Sequence, residues 1–246
     1  MNAPPLAKQA AFNRKALSYD AHAFVQRDAA EWLAEWLPQD THPGRCLELG
    51  AGTGLFTSHL QGHFQHLEIS DVSPEMLEVC NQRVPGIHQR ARDAWAEPSD
   101  PKCWDFLASS SLLQWAPEPT ACLINWKKLL RPNGRVLAGF FAQPSLPEMT
   151  EILDGGSPVH WHASEEWVDF FDSAALNIER IETDTRRYEY ESPLHFWKSL
   201  HGTGATVSQR MTPSQMFRLF KDYESRFSTP DGGVYATWTF CRVELS

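Results

Sequence analysis

The sequence predicts a doubly wound α/β fold: a seven-stranded, mostly parallel, Rossmann-like sheet, with helices before the first strand and a cap of helical segments between the last two. Three observations predict it. Strand-length apolar runs alternate with helix-length amphipathic runs from Arg45 to Phe141, the rhythm of βαβ units. The first strand runs into Leu47-Glu-Leu-Gly-Ala-Gly-Thr-Gly54, where alternate glycines let the chain turn sharply into a helix. Past Phe141 the rhythm loosens into two long strand-like runs separated by helical segments. With 246 residues, 42% of them hydrophobic, the chain can bury one full core. It is expected as one domain, with residues 1–40 as N-terminal helices, 41–142 as a ligand-binding core and 143–246 as C-terminal strands carrying a cap at about 193–228.

The elements follow in order. Ala11 to Leu37 repeats apolar residues at helical spacing (Phe24, Ala29, Trp32, Leu33, Trp36, Leu37) and stops at Pro38, so one or two helices precede the sheet. After a linker, Pro38 to Gly44, Arg45 to Leu49 reads as a strand, Thr53 to Gln61 as a helix and Phe64 to Ser70 as a second strand. Pro74 to Gln82 is a helix with Ser73 as N-cap and proline at its first position. Ile87 to Arg92 and Asp105 to Ser110 are strands, Pro119 to Leu130 a helix and Val136 to Phe141 a fifth strand. Pro144, Pro147 and the turn Gly155-Gly156-Ser157-Pro158 break the pattern. A helix from Glu165 to Ala175 then leads to a charged strand, Ile178 to Tyr190. Helical segments Pro193 to Leu200 and Pro213 to Phe227 separate it from a last strand, Tyr235 to Glu244.

Seventeen residues beyond the glycine run, Asp71 ends the second strand, where a carboxylate can accept both hydroxyls of a ribose. Gly50, Gly52 and Gly54 are spaced G-x-G-x-G, and Leu55 stands where a dinucleotide fingerprint has its third glycine, so no pyrophosphate cradle is indicated. Sheets of this kind bind ligands at the carboxyl ends of their strands, where Gly50, Asp71, Asp93 and Ser109 fall. A net charge of −9 argues against nucleic acid as a partner. From Pro193 to Phe227, five basic residues (Lys198, Arg210, Arg218, Lys221, Arg226) face two acidic ones, a local +3 that reads either as a docking face for an acidic partner or as a solvated helix face. Met1 to Lys15 has no apolar run, and no stretch approaches the ~20 apolar residues of a membrane span, so the chain is expected to be cytosolic and off the membrane. Five widely spaced cysteines form no C-x-x-C pair and read as reduced thiols. His59 and His63 have no acidic third ligand nearby, so no metal is expected.

These motifs resemble the class I S-adenosylmethionine-dependent methyltransferases. Asp71-Val-Ser-Pro-Glu-Met-Leu77 is similar to that family's second motif, Arg92-Asp93-Ala94 to its third, and Leu130-Arg-Pro-Asn-Gly134 to the turn before its fifth strand. Asn133 stands there for one of two usual glycines and tolerates the same left-handed conformation. Three further stretches resemble the malonyl-acyl carrier protein O-methyltransferases of biotin synthesis: Ala11-Phe-Asn-Arg-Lys-Ala-Leu-Ser-Tyr-Asp20 with Ala23 and Gln26, Ser109-Ser-Ser-Leu-Leu-Gln-Trp115, and Leu200-His-Gly-Thr-Gly-Ala-Thr206 followed by Thr212-Pro213. Ala236-Thr-Trp-Thr239 departs from the Thr-Tyr-Glu run usual in the last strand.

The resemblance implies S-adenosylmethionine as cofactor, S-adenosylhomocysteine as product and malonyl-loaded acyl carrier protein as partner. It places Gly50, Ala51, Gly52 and Gly54 against the cofactor, Glu48 near its amino-acid portion, Asp71 on the ribose and Val72 and Met76 near the adenine. Asp93 and Ala94 would hold the adenine amino group, with Ser109 at the end of strand four. Tyr19 and Gln26 would cover the cofactor and position the reacting carboxylate, opposite a wall of Gln114 and Trp115. Each has a plainer reading: Tyr19 as helix packing, Gln26 as a solvent-facing residue, Trp115 as core and Asp93 as a turn residue. A carboxylate acceptor is already ionised at neutral pH, which suits a chain without a nucleophile motif. Opposite charges combine in such a transfer, so a site that excludes water favours it. The resemblance leaves two alternatives: another small carboxylic acid or metabolite as acceptor, or a non-catalytic assembly factor on the same fold.

Overall fold

The structure is a computed structural model that describes residues 12–99, 101–153, 159–204 and 211–246. Seven strands form one sheet: β1 (His42–Leu49), β2 (Phe64–Asp71), β3 (His88–Ala91), β4 (Trp104–Ser110), β5 (Leu130–Ala142), β6 (Ile178–Tyr190) and β7 (Val234–Leu245). Their order is β3-β2-β1-β4-β5-β7-β6; β7 runs antiparallel to both neighbours and the remaining pairs are parallel. The winding reverses between β1 and β4, which opens a crevice at their carboxyl ends.

Side-chain alternation along the central strands builds two cores. Leu107, Val136, Ala138 and Phe140 pack with Trp126, Trp167 and Phe171 from helices Pro119–Leu129 and Ser164–Ser173. Phe106, Ala108 and Leu137 pack instead with Ala30 and Leu33 of helix Phe24–Ala34. A period of two thus feeds both faces of a sheet buried on both sides. The exposed edge strand β6 carries mostly charged residues, which blunts it against pairing with another chain.

Local chemistry explains the helix starts. The Ser73 hydroxyl accepts the Met76 amide (3.1 Å) ahead of helix Pro74–Arg83. Thr212 and Gln215 form a reciprocal capping box ahead of helix Pro213–Phe227. Helix Pro193–Gly202 completes the cap and packs on a 3-10 turn, Ala16–Ala21, that precedes Phe24–Ala34.

Several expectations need correction. The helix expected over Thr53 to Gln61 is a single turn, Thr57–Leu60, because the positive φ angles of Gly52 (54°) and Gly54 (87°) keep the preceding residues in turns. β1 begins at His42, inside the expected linker, with a register shift before Arg45. β5 begins at Leu130, so the stretch expected as a turn is strand, with Asn133 left-handed (φ 66°) as anticipated. A short helix, Pro147–Ile152, stands where only a loop is expected. The Gly155–Pro158 turn lies outside the described residues, as do Ala205, Thr206 and Arg210. All five cysteines are free. Among the described residues no helix is long and apolar enough to cross a membrane, and no cluster of three metal-ligating side chains occurs.

Candidate active site

The carboxyl ends of β1 and β2 are tied together through the glycine loop. The Ala51 amide donates to the Ser70 carbonyl (2.9 Å) and the Ser70 hydroxyl to the Glu48 carbonyl (3.0 Å). Asp71 accepts the Gly52 amide on one carboxylate oxygen (2.9 Å) and the Ser73 amide on the other (2.8 Å). The Val72 amide also bonds this carboxylate, which keeps acceptor capacity for a ligand hydroxyl. Burial pushes the Asp71 carboxyl up, with the Ser73 and Gly52 amides pulling against it.

The three glycines do different work. Gly50 (φ 71°) is pressed by Leu112, whose side chain would lie 2.8 Å from an added Cβ. A Cβ on Gly52 would meet nothing within 4 Å, and Gly52 lines the cavity, so the loop leaves open space there for a ligand. Gly54 does not line the cavity: a Cβ there would stand 2.8 Å from Cys80 Sγ, so this glycine lets the loop close on helix Pro74–Arg83.

The cavity above this loop has a volume of about 460 Å³, within the range of small-ligand sites. It brings together Tyr19, Gln26, Glu48, Gly50, Ala51, Gly52, Asp71, Val72, Met76, Asp93, Ala94, Gln114 and Trp115. Ser109 does not reach it. β4 runs one residue further than that position requires, so Ser109 is buried in the sheet while Ser110, Ser111 and Leu112 line the cavity. The loop after β3 is fixed from behind: the Trp126 indole donates to the Ala94 carbonyl (2.9 Å), Asn125 to the Trp95 carbonyl (2.9 Å), and the Trp95 and Trp126 rings stack. Asp93 caps this turn through the Trp95 amide (2.9 Å) while also lining the cavity.

The opposite wall is aromatic. Trp161 packs against Trp115, Phe141 and Trp238 at ring separations of 6.1–6.3 Å. The sequence reading omitted Phe141, Trp161 and Trp238. Phe141 sits at the carboxyl end of β5 and Trp238 near the amino end of antiparallel β7, on the same rim of the sheet, so strand direction offered a signal for both. Trp161 lies in a loop, where periodicity offers none.

Several buried polar atoms without partners belong to this cavity, while others, as on Trp104 and Trp167, lie in the core. Gln26 Oε1, Gln114 Oε1, Ser111 Oγ and Trp161 Nε1 belong to lining residues and have no hydrogen-bond partner. Buried polar atoms are normally paired, and these four are placed where a ligand can supply the partner. Together with the space at Gly52 and the acceptor oxygens of Asp71, they fit the nucleoside and amino-acid ends expected of S-adenosylmethionine. Tyr19 is half-buried, and desolvation, with the charges of Asp20 and Asp71, pushes its phenol above the ordinary 10; at neutral pH it can donate a hydrogen bond and does not act as a base.

Burial raises the Glu48 carboxyl to about 8 from an ordinary 4.5, against the Thr57 hydroxyl bond (2.6 Å) and with the Asp71 charge. A carboxyl raised in the fold stabilises it below the unfolded value and loses that contribution as pH rises through the folded one. Unfolding free energy is therefore expected to fall between about pH 4.5 and 8, and Glu48→Gln to flatten that fall. Urea titrations across this range check it, and equal slopes for both proteins contradict it.

A family profile described as "Methyltransferase domain" matches residues 20–223. A malonyl-[acyl-carrier protein] O-methyltransferase of Paenibacillus sp. is 28% identical, over 99% of this chain and 99% of its own. An enzyme of the same name from Serratia marcescens is 31% identical over 80% of this chain and 77% of its own. Among solved structures, the YcgJ protein of Bacillus subtilis superposes with a TM-score of 0.65 at 15% identity, over 89% of this chain and 97% of that one.

Proposed function

The chain belongs to the methyltransferase-domain family, and from that premise we propose that it esterifies the free carboxylate of a malonyl group on acyl carrier protein in biotin precursor synthesis, with S-adenosylmethionine as methyl donor. The observation that carries this reading is that the Gly52–Asp71 frame and the aromatic wall share one cavity, so cofactor and acceptor can meet away from water. Relatives named for this reaction match the chain over most of its length and support the choice of acceptor.

Bound, S-adenosylmethionine supplies an electrophilic methyl carbon on a sulfonium sulfur. Asp71 would accept the ribose hydroxyls, the Gly50–Gly52 backbone and Glu48 would face the amino-acid portion, and Val72, Met76, Asp93 and Ala94 would hold the adenine. Trp115, Phe141, Trp161 and Trp238 exclude water at the acceptor's end. Tyr19, Gln26 and Gln114 would orient the acceptor oxygens with neutral groups. A tight ion pair to the attacking oxygen would stabilise the ground state more than the charge-neutralising transition state, so such groups suit the task. A carboxylate acceptor has no proton to lose, and among the described residues the lining holds no histidine, lysine or cysteine to take one.

The cap would receive the carrier. Lys198, Arg218 and Lys221 are exposed on the two cap helices. Thr203, which follows the first of these helices, lines the cavity, so a carrier docked there could deliver its acyl group inward. Replacing Lys198, Arg218 and Lys221 together by alanine is expected to raise KM for a malonyl carrier about tenfold and to weaken its salt dependence, with KM for a free small acid unchanged. Steady-state kinetics on both acceptors test this, and equal effects on the two would contradict carrier docking at the cap.

A further inference from the structure

The N-terminal segment crosses the cavity with Tyr19 in its lining, and the next residue leaves the cavity to grip the protein on the far side of the glycine loop. Asp20 accepts a hydrogen bond from the buried Thr53 hydroxyl (2.6 Å) on one carboxylate oxygen and forms an ion pair with Arg83 through the other. Arg83 closes the triangle, its Nε donating to the Thr53 carbonyl (2.9 Å). Three separate elements therefore meet: the 3-10 turn, the glycine loop, and the last residue of the helix that begins beside Asp71. On its other side the described residues hold the segment to the cap by a hydrogen bond and by packing. The Ser199 hydroxyl donates to the His22 carbonyl (3.0 Å), His22 fills the space a Cβ on Gly202 would need, and Phe12 lies 3.3 Å from where a Cβ on Gly204 would stand.

We propose that Asp20 is a positioning residue that latches the Tyr19 segment onto the glycine loop through Thr53 and Arg83, so that cofactor leaves the cavity only when this latch opens. A molecule seated between Tyr19 and Gly52 is enclosed by a loop of covalent chain and hydrogen bonds running Tyr19–Asp20, Thr53–Gly52, and an exit on that side separates Asp20 from Thr53. The latch also reaches the cofactor frame, since Thr53, held at its carbonyl by Arg83 and at its hydroxyl by Asp20, is one residue from the Gly52 amide on Asp71. The Asp20 and Arg83 side chains are about a third exposed (33% and 32%), so salt can screen the pair and loosen the latch, whereas the neutral contacts to the cap do not respond to it. The inference rests on the cofactor half of the function proposed above and is independent of the acceptor.

Two readouts on the full-length protein test it. In the absence of ligand, Asp20→Asn and Arg83→Gln are each expected to speed hydrogen exchange of the amides from Ala16 to His22 about tenfold, with exchange in β4 and β5 unchanged. Release of S-adenosylhomocysteine, followed by stopped-flow tryptophan fluorescence, is expected to quicken about tenfold in both variants. Wild-type release should quicken as salt rises from about 0.05 M to about 0.5 M, and release from Asp20→Asn should not. The double variant should release no faster than either single one, and Asp20→Glu should recover part of the effect. Thr53→Val, which keeps the side-chain shape and removes the hydroxyl, repeats the test without disturbing charge. Unchanged exchange in all three variants would overturn the latch. Faster exchange with unchanged release would overturn its control of the cofactor. Wild-type protein that binds no S-adenosylhomocysteine while exchange still responds would overturn the cofactor reading, and this use of the latch with it.

Discussion

Asp71→Ala is expected to lower affinity for S-adenosylhomocysteine by a hundredfold or more, the largest effect of any single side chain in the site. Hydrogen bonds to a charged group contribute about 1.5–3 kcal/mol each, and two ribose hydroxyls would be lost together. The same change leaves the Gly52 and Ser73 amides without their acceptor, so the glycine loop loses the bond that sets its height above the sheet. Asp71→Asn keeps one acceptor oxygen but turns an amino group toward one of those amides, and it should fall between alanine and wild type. Titration calorimetry with S-adenosylhomocysteine measures all three proteins. An affinity for the alanine variant within threefold of wild type contradicts the placement of the ribose at Asp71.

The second large effect is expected at Trp161. Trp161→Ala removes a ring that is 4% exposed and packed against three other aromatic side chains, at a cost of about 3–5 kcal/mol in stability. It also opens the acceptor's end of the cavity to water, and methyl transfer is expected to fall about a hundredfold with cofactor affinity little changed. Trp161→Phe separates packing from hydrogen bonding, because it keeps most of the ring and deletes the partnerless Nε1–H. A loss in kcat/KM of about tenfold for phenylalanine would assign that N–H to the acceptor. Phenylalanine activity equal to wild type would leave Trp161 as a packing residue alone. Equal losses of cofactor affinity and of turnover in the alanine variant would contradict an acceptor role for this wall.

The ligand-binding half of the site was legible because backbone geometry there restricts residue type. Positive φ at Gly50 and Gly52 calls for glycine, and an acid at the end of β2 is the natural acceptor for the loop amide. The same reasoning overreached at Gly54, where φ is also positive (87°) but the residue faces Cys80 and not the cavity. It overreached again at Ser109: the strand ends at Ser110 as expected, but Ser109 is buried in the sheet and the residues that follow it line the cavity. The helix expected after the glycine run failed for a related reason: the turn that makes the loop useful occupies the residues that a longer helix would need. The aromatic wall was hidden because its members come from β5, β7 and a loop, more than seventy residues apart along the chain for Phe141 and Trp238, and only the antiparallel pairing of β5 with β7 unites those two. Asp20 was visible as part of a motif, but its partners Thr53 and Arg83 belong to elements whose approach no local pattern encodes.

On the proposed function, this one cavity transfers a methyl group to the carboxylate of a malonyl carrier. The most direct measurement is the intact mass of malonyl-loaded acyl carrier protein after incubation with this protein and S-adenosylmethionine, with acetyl-loaded carrier as control. The expected result is a gain of one methylene on the malonyl form and none on the acetyl form. No gain on the malonyl form, in protein that binds S-adenosylhomocysteine, would contradict it.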